Sequence, residues 1–184
     1  MPNTWEHISK GIFLWIPVTA LSAYTAVEAG LSPSQLFWVF IFMGIPYAQG
    51  LVFPDLDMES SLPFQNRGIY LLPQSIALGL SSLKLLEIEI VFVKYLQWVT
   101  AVLVAWFSLI VLFHIYIEGM SHRGVNHEMM ASLVAGVLNA GIASLFSLTV
   151  LGVDVRFSVI FAVYSGLGFL LGSLVHLFLD GEIL

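Results

Sequence analysis

Long uncharged runs are the feature that most constrains how this chain can fold. Two of them, "IFLWIPVTALSAYTAV" near the N-terminus and "FSVIFAVYSGLGFLLGSLVHLFL" near the C-terminus, contain no Asp, Glu, Lys or Arg. As helices, runs of about 20 apolar residues cross a hydrocarbon core about 30 Å thick. The whole chain is only 10% charged, whereas a soluble domain carries about 25% charged residues. We therefore predict an integral membrane protein.

Six such runs predict an all-α, polytopic membrane helix bundle in a single domain, residues 1–184. The expected spans are 8–29, 34–53, 69–85, 90–118, 128–153 and 157–179. The first run is read as a retained helix rather than a cleaved signal. The third is short and contains Pro73, so we expect it to be kinked, re-entrant or tilted. Small residues in the last two runs predict a tightly packed helix pair, to which the Gly-x-x-x-Gly of Gly168 and Gly172 contributes.

The parity of six spans brings the polar segments to one side of the membrane. His7 begins the chain on that side, and the turns at Pro54–Asp57 and 121–127 return to it. The last helix ends there with 176–180. Among the histidines and aspartates, only Asp154 falls on the other side. The pattern favours six spans and a common site.

Two of these segments are turns, and each has a second interpretation. Asp55 and Asp57 form an Asp-x-Asp that either chelates a hard cation or is a solvated acidic loop. His122 and His127 are five residues apart, so they converge only if the chain turns between them. Otherwise they are polar residues at the headgroup level. Arg123 between them either binds a phosphate or anchors the chain at the interface.

The last segment is helical. His176 and Asp180 are spaced i, i+4, so they share a helix face and can bind one ion, or simply pair at a helix end. His114 and Glu118 repeat this spacing but nothing else marks them. Ionisable residues near membrane depth are rare and usually functional. Histidine nitrogen with aspartate oxygen, and no cysteine in the chain, suits zinc, manganese or iron better than magnesium.

Taken together, "EHISKG", "PDLD", "HRGVNH" and "HLFLD" resemble, in order, the YdjM-like membrane-bound predicted metal-dependent hydrolases. The resemblance implies a relation to the zinc-dependent phospholipase C and P1 nuclease group. The usual motif H-R-G-x-T-H-S is altered here, with Asn126 in place of threonine and Glu128 in place of serine. Matched position by position, the resemblance implies these metal ligands: His7, Asp55, Asp57, His122, His127, His176 and Asp180.

We therefore expect a phospholipase-like hydrolase that uses a divalent metal, most plausibly zinc, to cleave a phosphoester of a lipid. Arg123 would stabilise charge on the phosphate, Asp57 would accept a proton from water, and Arg67 is a weaker helper candidate. The alternative is a non-catalytic metal-binding protein, either a divalent-metal transporter or a structural partner in a membrane complex. A net charge of −6 argues against nucleic acid as a partner. The expected location is the cell (inner) membrane, with several passes.

Overall fold

The computed structural model describes residues 4–57, 61–86, 94–119 and 129–180. Within these ranges the chain is helical and contains no strand, so the all-α prediction is confirmed there. The elements are α1 Thr4–Glu28, α2 Pro33–Gly50, a 3-10 turn at Pro54–Asp57, α3 Leu62–Gln65, α4 Arg67–Tyr70, α5 Leu72–Leu85, α6 Lys94–Gly119, α7 Met129–Thr149 and α8 Val155–Asp180.

Three helices in the described ranges are long and apolar enough to cross a membrane. They are Ile8–Glu28 within α1, Met129–Thr149 and Val155–Asp180. Gln97–Leu112 within α6 is apolar but shorter. By length and composition these segments indicate a membrane protein. The count of six crossings stays a prediction.

The third predicted span differs in form from the expectation. The chain between α2 and α6 begins with two four-residue helices, α3 and α4, before the 14-residue α5. Pro73 lies in the first turn of α5, where its missing N–H removes no helix hydrogen bond. The proline therefore starts this helix instead of kinking it.

The helices α7 and α8 form the tight antiparallel pair that their small residues predict. Ser144 Oγ and Ser158 Oγ are 2.9 Å apart, and a side chain at Gly136 would press against Leu170. The Gly-x-x-x-Gly pair faces a different neighbour, however. A Cβ on Gly172 would overlap the backbone of α2, so these glycines pack α8 against α2 rather than against α7.

Contact between α2 and α8 is backbone to backbone, and the two helices run parallel. The backbone of Gly50 lies against Phe169 and Ser173, and that of Gly172 lies against Tyr47 and Leu51. Only residues without a Cβ allow this approach. Because the helices run parallel, the C-terminal end of α2 and the last turns of α8 lie side by side.

An apolar cluster is buried at this end of the bundle. Phe53, Leu56 and Phe169 are buried together, and the rings of Phe53 and Phe169 meet edge-on at 5.1 Å. Tyr70 from α4 and Ala131 from α7 pack against them. The cluster therefore joins four segments and holds the polar groups beside it in place.

Candidate metal site

A fully buried histidine near the end of α8 is the centre of the candidate site. His176 is 0% exposed, and its Nδ1 lies 2.7 Å from the carbonyl oxygen of Leu51. Because a carbonyl can only accept, Nδ1 must carry the proton and donate it. In a neutral imidazole this leaves Nε2 with a lone pair, which is the form that binds a metal.

Two buried carboxylates face Nε2. Asp180 Oδ2 is 3.1 Å away and Asp55 Oδ1 is 3.7 Å away, and both side chains are at most 6% exposed. The imidazole nitrogen and the carboxylate oxygens thus face one another closely enough to bind a cation between them.

Local structure explains why these three residues meet. The i, i+4 spacing puts His176 and Asp180 on one face of α8, and close packing against α2 brings Leu51 to the imidazole. Asp55 stands in the 3-10 turn that follows α2. Ser61 Oγ donates to the carbonyl oxygen of Asp55 and so connects this turn to the residue that precedes α3.

The donor set fits a divalent transition ion. Two ligands bound at 2.0–2.1 Å with tetrahedral angles lie about 3.3 Å apart, close to the separations of Nε2 from the two carboxylates. A metal-binding histidine typically donates its other N–H to a carboxylate or backbone carbonyl, as His176 does to Leu51. Among the side chains that the structure describes, no group of three or more histidines, cysteines or acids is arranged so that it could hold a metal ion. Further ligands would have to come from elsewhere in the chain.

The remaining predicted ligands have no described side chains. His7 lies in α1 and Asp57 in the 3-10 turn, with only their backbones described, whereas His122, Arg123 and His127 lie outside the described residues. Of the seven predicted ligands, the structure thus brings together the three whose side chains it describes, Asp55, His176 and Asp180.

The described segments next to His7 and His127 lie at the same end of the bundle as His176. Tyr47 donates from its hydroxyl to the carbonyl oxygen of Gly11 at 2.9 Å, which holds the first turns of α1 beside the end of α2. Ala131, four residues after His127 in the chain, packs against the cluster beside Asp55. The described neighbours of His7 and His127 therefore lie near His176.

Two other sequence candidates add nothing to the described site. The side chains of His114 and Glu118 in α6 are not described. Arg67 is held locally, with its guanidinium 4.7 Å from the centre of the Phe64 ring and Nη1 donating to the Phe64 carbonyl at 3.1 Å. Nothing in these contacts directs Arg67 toward the site.

Sequence reasoning missed a second polar cluster, made of three side-chain amides. Gln49 and Gln74 exchange hydrogen bonds of 2.9 and 2.6 Å, and Gln74 Nε2 also donates to Asn139 Oδ1 at 2.9 Å. Gln49 further donates to the Tyr70 carbonyl at 2.7 Å. The sequence did contain a signal for this cluster, because three amide residues lie within apolar runs. In membrane proteins such side chains form hydrogen bonds between helices. We call these three residues the amide cluster.

Comparisons with protein-family models, with curated proteins and with solved structures found no match to this chain. The resemblance to the YdjM-like hydrolases therefore stays a prediction. The structural feature that points to a function is the geometry around His176. There, a buried imidazole with a fixed tautomer faces two buried carboxylates.

Proposed function

We propose that this chain is a membrane-bound, metal-dependent hydrolase that cleaves a phosphoester of a lipid. The observation that carries the proposal is the pairing of His176 Nε2 with Asp55 and Asp180 while Nδ1 donates to Leu51. Together with the imidazole nitrogen, the two carboxylates form the nitrogen and oxygen donor set that a divalent transition ion favours.

The chain's own residues divide into two roles in this proposal. Asp57 accepts a proton from the attacking water, and Arg123 stabilises the negative charge on the phosphate through its planar donors. A divalent ion at the site would supply a water of lowered pKa and a contact to the phosphoryl oxygens. The metal ligands would be those that the resemblance implies: His7, Asp55, Asp57, His122, His127, His176 and Asp180.

We propose further that the chain crosses the membrane six times, in the cell (inner) membrane, with both termini on one side. The helix directions support an even number of crossings with both termini on one side, because α2 and α8 run parallel while α1 runs antiparallel to α2 and α7 antiparallel to α8. Reporter fusions at the N-terminus, after Asp57 and at the C-terminus should all report one compartment. Opposite compartments at any two positions would contradict this topology.

Lipid is the proposed substrate because of where the site lies. Asp55 and His176 lie near one end of the apolar helices, and we expect that end to reach the lipid headgroups. The test is to load the purified full-length protein with zinc and measure phosphate or headgroup release from a panel of phospholipids. Release from at least one lipid, accompanied by bound metal, is the expected result.

A matched pair of variants makes this test specific. His176→Ala should abolish release and lower metal content, whereas His114→Ala, which has the same i, i+4 acid, should retain most of both. Bound zinc without release from any lipid would favour the non-catalytic metal-binding protein instead. Equal and mild effects from the two variants would contradict the assignment of the site.

A further inference from the structure

A partly open cavity lies between α2, α5, α7 and α8, and none of the described residues of the His176 site lines it. Its volume is about 360 Å³, within the range of about 300–1,000 Å³ that ligand pockets occupy. The walls are almost entirely apolar, and Ile142 and Ala77 are among the residues that line them. A water-soluble ligand would find few polar partners in such a cavity, so the walls favour an apolar occupant.

The two ends of the cavity differ in chemistry. At one end Trp38, Phe42 and Phe146 form an aromatic wall, with the Trp38 and Phe146 rings 6.1 Å apart. At the other end lies the amide cluster. Trp38 and Gln49 are eleven residues apart on α2, about 16 Å along the helix axis. The cavity is therefore elongated along the bundle, apolar at depth and polar at one end.

The cavity reaches the outer surface between α2 and α5. Ile45 on α2 and Ile76 on α5 both line it and are 38% and 40% exposed. If these helices cross a membrane, this surface faces hydrocarbon. An acyl chain can then enter sideways from the bilayer without crossing water.

The polar end points toward the candidate metal site. Gln49 precedes by two residues Leu51, whose carbonyl holds His176. Asn139 Nδ2 donates one hydrogen bond, to the Ala135 carbonyl at 2.9 Å, and an amide nitrogen carries two protons. Its second N–H matches the carbonyl of an ester linkage.

We propose that this cavity binds one acyl chain of a phospholipid, with the ester carbonyl at Asn139 and the headgroup at the end of the bundle where His176 lies. The proposal goes beyond the proposed function and stands independently of hydrolysis at His176. The aromatic wall at Trp38 and Phe146 would limit the length of chain that fits.

The test uses full-length protein in lipid nanodiscs without added metal and a phospholipid with a photoreactive group at the end of one acyl chain. Labelling should concentrate on the α2 and α7 peptides that contain Trp38 and Phe146. Ala77→Phe fills the cavity and should reduce this labelling at least about tenfold, which corresponds to about 1.4 kcal/mol of binding. Ala20→Phe adds the same side chain on an exposed face of α1 and should leave labelling unchanged.

Three results would overturn the proposal. The first is equal labelling in Ala77→Phe and Ala20→Phe, and the second is labelling spread evenly over all exposed helix faces. The third is displacement of the probe by a free fatty acid as readily as by the unlabelled phospholipid. If Ala77→Phe does not fold, Ala77→Leu fills part of the same space and should give a smaller loss. Because no turnover is measured, failed hydrolysis and failed acyl binding give different results.

Discussion

Two polar clusters lie close together along α2, and they differ in which polar groups face each other. The amide cluster is neutral, and Gln49 and Gln74 each donate to and accept from the other. The cluster around His176 has two carboxylates against one imidazole. The amides complete each other's hydrogen bonds within the protein, whereas the imidazole and carboxylates form a donor set that can also bind a metal ion. We therefore expect metal binding at His176 and helix association at Gln49.

The packing around the two clusters differs as well. His176 stands where the backbones of α2 and α8 touch at Gly50 and Gly172, so its position is fixed by contacts that tolerate no added atom. The amide cluster borders a cavity and joins α2, α5 and α7 through side chains alone. We therefore expect substitutions at the first region to change metal binding and packing together, and those at the second to leave metal binding unchanged.

The largest effect should come from removing one charge at the acidic cluster. Asp180→Asn keeps the shape of the side chain but removes a proposed metal ligand. Loss of a residue that hydrogen-bonds to a metal ligand typically costs 10–100-fold in metal affinity, so loss of the ligand itself should cost at least about 100-fold. Competition with a zinc-chelating dye measures this. Glu118→Gln is the control at the same spacing from a histidine, and a similar loss there would remove the distinction.

A smaller effect should follow from adding one methyl group between α2 and α8. In Gly172→Ala the new Cβ would overlap the Tyr47 carbonyl oxygen, so the helices must separate. Overpacking of this kind costs about 1–3 kcal/mol of unfolding free energy. Thermal unfolding in a single detergent should reveal it, together with weaker zinc binding because Leu51 moves away from His176.

The matched control is another glycine, on α7. A Cβ at Gly141 meets no atom within 4 Å, so Gly141→Ala should leave stability unchanged or raise it by up to about 1 kcal/mol. If both alanine variants behaved alike, backbone contact between α2 and α8 would not be what positions the site.

The smallest effect should come from the amide cluster. Gln49→Met or Gln74→Met alone should cost about 0.6 kcal/mol, typical of hydrogen bonds between membrane helices. The double variant should cost less than the sum, because the hydrogen bonds between Gln49 and Gln74 are lost in either single variant and are counted only once in the double. Unfolding measurements on the four proteins give the coupling. Zinc affinity should be unchanged in all four, and a parallel loss of metal would mean that the two clusters are not independent.

Much of the helix arrangement could be predicted from the sequence. Long uncharged runs placed α1, α7 and α8 to within a few residues, since each run is apolar over its whole length. Span parity predicted that Asp55 and His176, 121 positions apart in the chain, lie on the same side, and the family resemblance implied that they share a site. The i, i+4 rule then gave the contact between His176 and Asp180.

The sequence could not predict which helix faces pack together. In a membrane, lipid and a neighbouring helix are equally apolar, so the residue pattern carries little information about which side is buried. For that reason Gly168 and Gly172 were assigned to the α7 contact although they face α2. The carbonyl of Leu51 and the amide cluster were missed for the same reason, because both depend on that packing.

X-ray absorption at the zinc edge of reconstituted protein tests the central claim most directly. We expect stoichiometric zinc with nitrogen and oxygen ligands at about 2.0–2.1 Å, including imidazole scattering that decreases in His176→Ala and persists in His114→Ala. Absence of tightly bound metal after reconstitution, or a spectrum that His176→Ala leaves unchanged, would contradict a metal site at His176.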